Sequence, residues 1–271
     1  MSRRWATTAP LDSSCAGRLY PTEKAASSRR TPKLTPSFRQ AANSSGRPAP
    51  GGADLPLLAA AIAAANLPLL AGAPARALMF LPGRVVEGEW WRVLSYPFVH
   101  VSLYHLALDA GGFLLLYAGL KSLGAARRLW FAAASAAGSL AAAFCSPALA
   151  AHGLCGLSGA AHGLMAVTGL EMMGAAGDRT TRRMGALALA LVAGKSVIEA
   201  ATGSVFFVDW HFGDVGAPLA LCHLGGVLGG AAAWGIWKSN WICAAIASSL
   251  AVNRRCIIAP RRECRTTMKC M

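Results

Sequence analysis

Six apolar stretches of near-membrane length, separated by short basic links, leave this chain few folds to choose from. They run over about Leu55 to Phe80, Leu103 to Leu120, Leu129 to Leu149, Leu157 to Ala176, Met184 to Thr202 and Pro218 to Trp237. Each approaches the ~20 residues that cross a ~30 Å hydrocarbon core at 1.5 Å per residue. Pro56, Pro68 and Pro74 blur the limits of the first. Gly and Ala dominate all six, and small residues let helix backbones approach closely in a membrane. The expected fold is therefore an all-α membrane protein, a packed bundle of six transmembrane helices. Composition agrees: 55% of the 271 residues are hydrophobic and 14% charged, against about 25% charged in a soluble domain.

The formal net charge of +14 raises the question of nucleic acid, and its placement answers it. The arm over residues 1–54 holds nine Lys/Arg and three acidic residues. Lys121, Arg127 and Arg128 link spans two and three, Arg179, Arg182 and Arg183 link spans four and five, and seven more follow from Lys238 onward. These regions share one side of a six-span arrangement and hold 22 of the 26 basic residues. The positive-inside rule puts that side, and both termini, in the cytoplasm. Charge laid out this way marks topology, not a nucleic-acid groove.

Three regions are expected. Residues 1–54 are rich in Ser, Thr, Pro and Arg and read as a disordered basic arm. The same composition fits an organellar transit peptide, or a translation start placed too far upstream. Residues 55–237 form the six-span domain. Residues 238–271 form a basic, cysteine-bearing tail, with a seventh short span the less favoured reading. Of eight cysteines, Cys15, Cys256, Cys264 and Cys270 lie in the basic ends, and no C-x-x-C occurs. Cys145 and Cys155 flank the outer loop before span four, as a disulfide or as two free thiols. Cys222 reads as a small packing residue.

Ionisable residues within spans are costly and mark function. The orientation above places several at one depth, just below the outer surface. His100, His105 and Asp109 sit at the entrance and first turns of span two, Ser158 and His162 in the first turns of span four, and His223 near the start of span six. His105 and Asp109 are four residues apart on one helical face, as are Ser158 and His162. Gly156-Leu157-Ser158-Gly159 is a G-x-S-G element at a helix start, where unpaired N–H groups can stabilise an oxyanion. Gly226 and Gly230 after His223 form a G-x-x-x-G spacing that lets span six lie against a neighbour. If that neighbour is span four, with its Gly159 and Gly163, His223 comes within reach of Ser158. Lys195 and Glu199, one helical turn apart in span five, read as a structural ion pair. His152 and His211 lie in outer loops and receive no role.

These residues resemble the rhomboid family over roughly residues 55 to 237. Glu89-Trp90-Trp91-Arg92 looks like the family's E-x-W-R element. His100, His105 and Asp109 stand where rhomboids carry H-x-x-x-x-H-x-x-x-N, and the elements around Ser158 and His223 match the family's nucleophile and sixth-span motifs. The resemblance implies an intramembrane serine endopeptidase of the inner (plasma) membrane. Its site would open to the periplasmic or outer side and act on membrane-anchored protein substrates, with no cofactor, no metal and no nucleic acid. It implies a Ser/His dyad without a third, acidic member. Ser158 would attack the peptide carbonyl, and His223 would take its proton and return it to the leaving amine. His105, the side chain at Asp109 and the amide of Ser158 would face the oxyanion, with Leu157 and His162 in support.

Two positions depart from the family pattern. Asp109 replaces the usual Asn, and an ionised carboxylate repels an oxyanion. It must then be protonated, bonded to His105, or outside the hole. His162 replaces the usual Tyr, and Gly156-Leu-Ser-Gly-Ala-Ala-His162-Gly resembles the bacterial rhombosortase subgroup, which implies processing of carboxy-terminal sorting segments of exported proteins. Two other functions compete. One is a catalytically inactive rhomboid-like client-binding protein, supported by Asp109. The other is a metal site built from His100, His105, Asp109, His162 and His223, whose imidazoles and carboxylate suit zinc.

Overall fold

The computed structural model describes residues 52–120, 123–174, 178–206 and 212–258, with side chains of the last stretch described as far as residue 240. The arm expected to be disordered lies outside the described residues apart from residues 52–54. Among the described residues the chain is helical, and its one β pairing is an isolated antiparallel bridge between Phe80 and Leu154. The helices are α1 (Asp54–Ala65), α2 (Pro82–Val86), α3 (Arg92–Ser95), α4 (Leu103–Gly119), α5 (Ala125–Ala143), α6 (Ala148–His152), α7 (Ser158–Gly174), α8 (Arg179–Thr202) and α9 (Ala220–Ile258).

The first apolar stretch is not one helix to Phe80. Pro68 offers no N–H to a helical ladder, so α1 gives way to a 3₁₀ turn over Leu67–Ala71 that ends at Gly72 with φ 82°. Asn66 secures the break. Its Nδ2 donates to Ile62 O (2.7 Å) and Phe98 O (2.6 Å), and its Oδ1 accepts from His100 N (2.9 Å). One side chain thus ties the end of α1 to the entrance of α4.

Two helices begin earlier than the apolar pattern predicts. α5 starts at Ala125, so Arg127 and Arg128 lie in its first turn and not in the link. Arg128 is buried, with Nη2 2.7 Å from the Asp54 carboxylate, which also accepts from Tyr117 Oη at 2.5 Å. Arg127 pairs with Glu171, and its guanidinium lies 5.4 Å from the Trp237 ring centroid. Partners on other helices make these charges tolerable, and such partners are invisible to a hydropathy scan. α8 starts at Arg179, where Asp178 Oδ1 accepts from Thr181 N at 2.7 Å as an N-cap. At the other end, α9 continues for 39 residues to Ile258, so the tail's apolar part prolongs this helix and forms no separate seventh span.

Among the described residues, three helical stretches are long and apolar enough to cross a membrane: Asp54–Ala71, α8 and Ala220–Asn240. A fourth arises if Arg92–Phe98 and α4, bent by 94° to one another, are taken together. The protein is therefore membrane-embedded, and its outward-facing residues agree: Leu115, Leu191 and Leu228 are all well exposed. Apolar surface of this extent is at home in lipid and not in water.

α7 is the centre of the bundle, packed by α4, α5, α8 and α9, and its Leu164, Ala166 and Val167 are wholly buried. α9 meets two helices through glycine. A Cβ at Gly226 would overlap Gly159 O, and one at Gly230 would lie 2.6 Å from Gly163 O, so this edge of α9 touches the backbone of α7. The adjacent edge, Gly225 and Gly229, meets the carbonyls of Gly138 and Ala134 on α5 in the same way. The expected pairing of the two glycine motifs is what the structure contains. The second glycine edge was not anticipated.

Adding one methyl at Gly226 must push α9 off α7, and overpacking of this kind costs about 1–3 kcal/mol. Gly226→Ala is expected to lower the thermal unfolding temperature in detergent. Gly235→Ala, where a Cβ meets nothing within 4 Å, is expected to leave it unchanged or raise it slightly.

Candidate active site

The polar residues singled out in spans two, four and six converge where α4, α7 and α9 begin. Ser158, His105 and His223 line one cavity of about 60 Å³, together with His152, Cys155 and Cys222. That volume holds a few waters, given ~10–15 Å³ of such space for each. Cys145 and Cys155 are both free thiols. His211 lies outside the described residues.

The loop before α4 builds the floor of the site. Arg92 is buried and donates through Nε to Glu89 Oε2 at 2.6 Å, and through Nη1 to Arg76 O and Met79 O, both at 2.7 Å. These bonds hold the 3₁₀ turn Arg76–Leu78 and the Met79 that follows it, which lead to Phe80, whose N and O pair with Leu154 at 2.9 Å each. Gly156 N donates to Tyr96 O at 3.1 Å. The E-x-W-R element thus acts through backbone, setting the segment that delivers Ser158.

Ser158 opens α7, so its N–H has no partner within the helix. Asp109 supplies one: Oδ2 accepts from both Leu157 N and Ser158 N at 3.1 Å. The same oxygen lies 3.0 Å from His105 Nε2. Val101 N donates to His105 Nδ1 at 3.4 Å, which leaves the ring proton on Nε2, facing Asp109. Of the three states open to Asp109 in the sequence, the structure contains the bond to His105, and adds the bonds to the two amides. Gly156 lets the chain pass this carboxylate. Its φ is 97°, and a Cβ there would stand 2.7 Å from Asp109 Oδ2. His100 is fully buried behind, its ring edge-on to His105 with centroids 5.0 Å apart.

A second cluster surrounds His223. The ring of His162 stacks on that of His223 at 4.1 Å and 10°. His162 Nδ1 lies 2.7 Å from Ser158 O, and its Nε2 lies 3.0 Å from Lys195 Nζ. A carbonyl only accepts and an ammonium only donates, so His162 is neutral with its proton on Nδ1. His223 Nδ1 lies 2.7 Å from Glu199 Oε2. Glu199 Oε1 accepts from Lys195 Nζ at 2.7 Å and from Phe206 N at 2.8 Å, and Glu199 is wholly buried. The expected Lys195–Glu199 pair is present, but it does not exhaust the carboxylate. Glu199 is the residue that sequence reasoning missed at this site. The signal was there, since an acid inside a span is itself a marker, but Lys195 four residues earlier explained it away.

The five residues weighed as a metal set do not come together as one. His100, His105 and Asp109 gather about residues 156–158, while His162 and His223 join Glu199, with one ligand atom of each within 4.8 Å of the others. Lys195 Nζ already engages lone pairs on two of those three residues. A cation there would have to compete with this ammonium for both groups.

The family model of the rhomboid domain matches residues 87–239, more than half of the chain. No curated protein and no solved structure matches significantly. Members of this family are generally intramembrane serine proteases that act on membrane protein substrates. The match spans every residue of both clusters, and the chain belongs to the rhomboid family.

Proposed function

We infer that the protein is an intramembrane serine endopeptidase in which Ser158 is the nucleophile and His223 the general base. The observation that carries this reading is the shared cavity: two side chains from different helices, far apart in sequence, line one small chamber with His105. In the proposed reaction Ser158 Oγ attacks the scissile carbonyl while its proton passes to His223 Nε2. The protonated ring then gives that proton to the leaving amine. Water in the cavity hydrolyses the acyl-enzyme by the same steps in reverse order.

The oxyanion would look to the amides of Leu157 and Ser158 and to His105 Nε2. Asp109 Oδ2 occupies those donors at rest. A developing oxyanion and this carboxylate compete for the same hydrogens, so Asp109 must turn aside or take up a proton as the substrate arrives. This competition also favours a second reading, an inactive rhomboid-like protein that binds membrane clients.

Six spans, with both termini in the cytoplasm and the cavity toward the periplasmic side of the inner membrane, remain the topology that the basic residues near these helix ends support. α5 and α7 complete the six. α7 is short, at 17 residues, and it is shielded by neighbours on all sides. For substrates, the G-L-S-G-x-x-H-G element supports a rhombosortase-like choice: membrane-anchored carboxy-terminal sorting segments of exported proteins.

Cleavage of a single-span reporter carrying such a segment is expected from membranes containing the parent, and to fall at least 10³-fold in Ser158→Ala, in line with loss of a nucleophile. Equal cleavage by both proteins rules the reading out. Chelator is expected to leave the parent's activity unchanged. Asp109→Asn removes the competing charge and supplies an amide donor, so kcat/KM at neutral pH is expected to hold or rise. A tenfold fall in the same assay would assign the carboxylate a positive part in the reaction.

A further inference from the structure

We propose that Glu199 is a positioning residue that completes a Ser158–His223–Glu199 relay, in place of a bare dyad. This rests on the serine-protease reading above and concerns how its base is held.

A histidine can act as base toward Ser158 only through a nitrogen that carries a lone pair. In water a neutral imidazole favours the proton on Nε2, the wrong nitrogen for that task. A carboxylate is acceptor-only, so the contact of 2.7 Å between Glu199 Oε2 and His223 Nδ1 requires the proton on Nδ1. Nε2 is then left as the free base. When Ser158 gives up its proton, the ring becomes a cation whose Nδ1–H already faces an anion.

The rest of the cluster fixes that contact. Oε1 of Glu199 is bound twice, by Lys195 Nζ at 2.7 Å and by Phe206 N at 2.8 Å, so Oε2 has one direction left to face. Behind the ring, His162 stacks at 4.1 Å and is itself bonded to Ser158 O and Lys195 Nζ. The ring of His223 is thus held in plane by His162 and in rotation by Glu199. A carboxylate present only to balance Lys195 would need neither the second oxygen on His223 nor complete burial. Lys195 is the positioning partner of both, since its ammonium joins Glu199 to His162.

Two measurements test this. The first uses Ser158→Ala protein labelled with ¹⁵N-histidine in detergent, with the His223 signal assigned by its loss in a His223→Ala variant. Nitrogen NMR at neutral pH is expected to show His223 as the Nδ1–H tautomer. The Nε2–H tautomer overturns the proposal, and this readout needs no change at Glu199. The second compares parent, Glu199→Asp and Glu199→Gln in cleavage of the single-span reporter and in labelling of Ser158 by a fluorophosphonate probe. Gln keeps the size and an acceptor for Lys195, but offers His223 a donor and so the wrong tautomer. The expected order of kcat is parent, then Asp, then Gln, with Gln down by about 10²–10⁴ and KM within about twofold. Gln at the level of Asp or above overturns the proposal, and a rise in KM alone does so too. A parent that is not labelled and does not cleave overturns the protease reading and this one together. A parent that is labelled, with Gln labelled equally fast, overturns this one alone.

Discussion

Everything at the site depends on α9 lying in backbone contact with α7. Gly226 and Gly230 carry no Cβ where the carbonyls of Gly159 and Gly163 stand. Lipid offers no hydrophobic drive for two helices to associate, so close van der Waals contact between backbones must supply it. His223 lies one turn before Gly226, and Ser158 immediately before Gly159. The contact that packs the helices therefore also sets the separation of the two side chains. Gly225 and Gly229 repeat the arrangement against α5, so α9 is located by two neighbours at once and cannot slide along either.

Two carboxylates then organise the polar groups, and they do so by different means. Asp109 works on backbone: it satisfies amides that the start of α7 leaves open, and it orients His105. Glu199 works on a side chain and is itself held by a cation and an amide. Neither network leaves its carboxylate without partners, which is the condition for burying such groups at tolerable cost. His162 joins the two halves, since it is bonded to the Ser158 carbonyl on one side and to Lys195 on the other.

The parts of this arrangement that follow from local pattern were legible in the sequence. Apolar periodicity located α4, α7 and the start of α9 closely, and a common depth singled out His105, Asp109, Ser158, His162 and His223. What was not legible depends on partners distant along the chain. Arg127 and Arg128 looked like link residues because their neutralisers, Glu171 and Asp54, lie on other helices. Glu199 looked complete with Lys195 because its second oxygen is spoken for only once α8 meets α9. For Asp109 the sequence leaves three states open, protonated, bonded to His105, or outside the hole. Its bonds to Leu157 and Ser158 arise from the packing of α4 against α7, which no spacing rule reports.

α8 turns Leu187, Leu191 and Ile198 outward, so a helix on the outside of the bundle carries the group that aligns the base. Position and readiness thereby become one variable. Were α8 to swing out to admit a long substrate, Glu199 would travel with it, and the ring of His223 would lose its alignment until the helix returned. The helix would then serve as a safety catch: the chamber is disarmed while open, and armed only once the chain to be cut is inside.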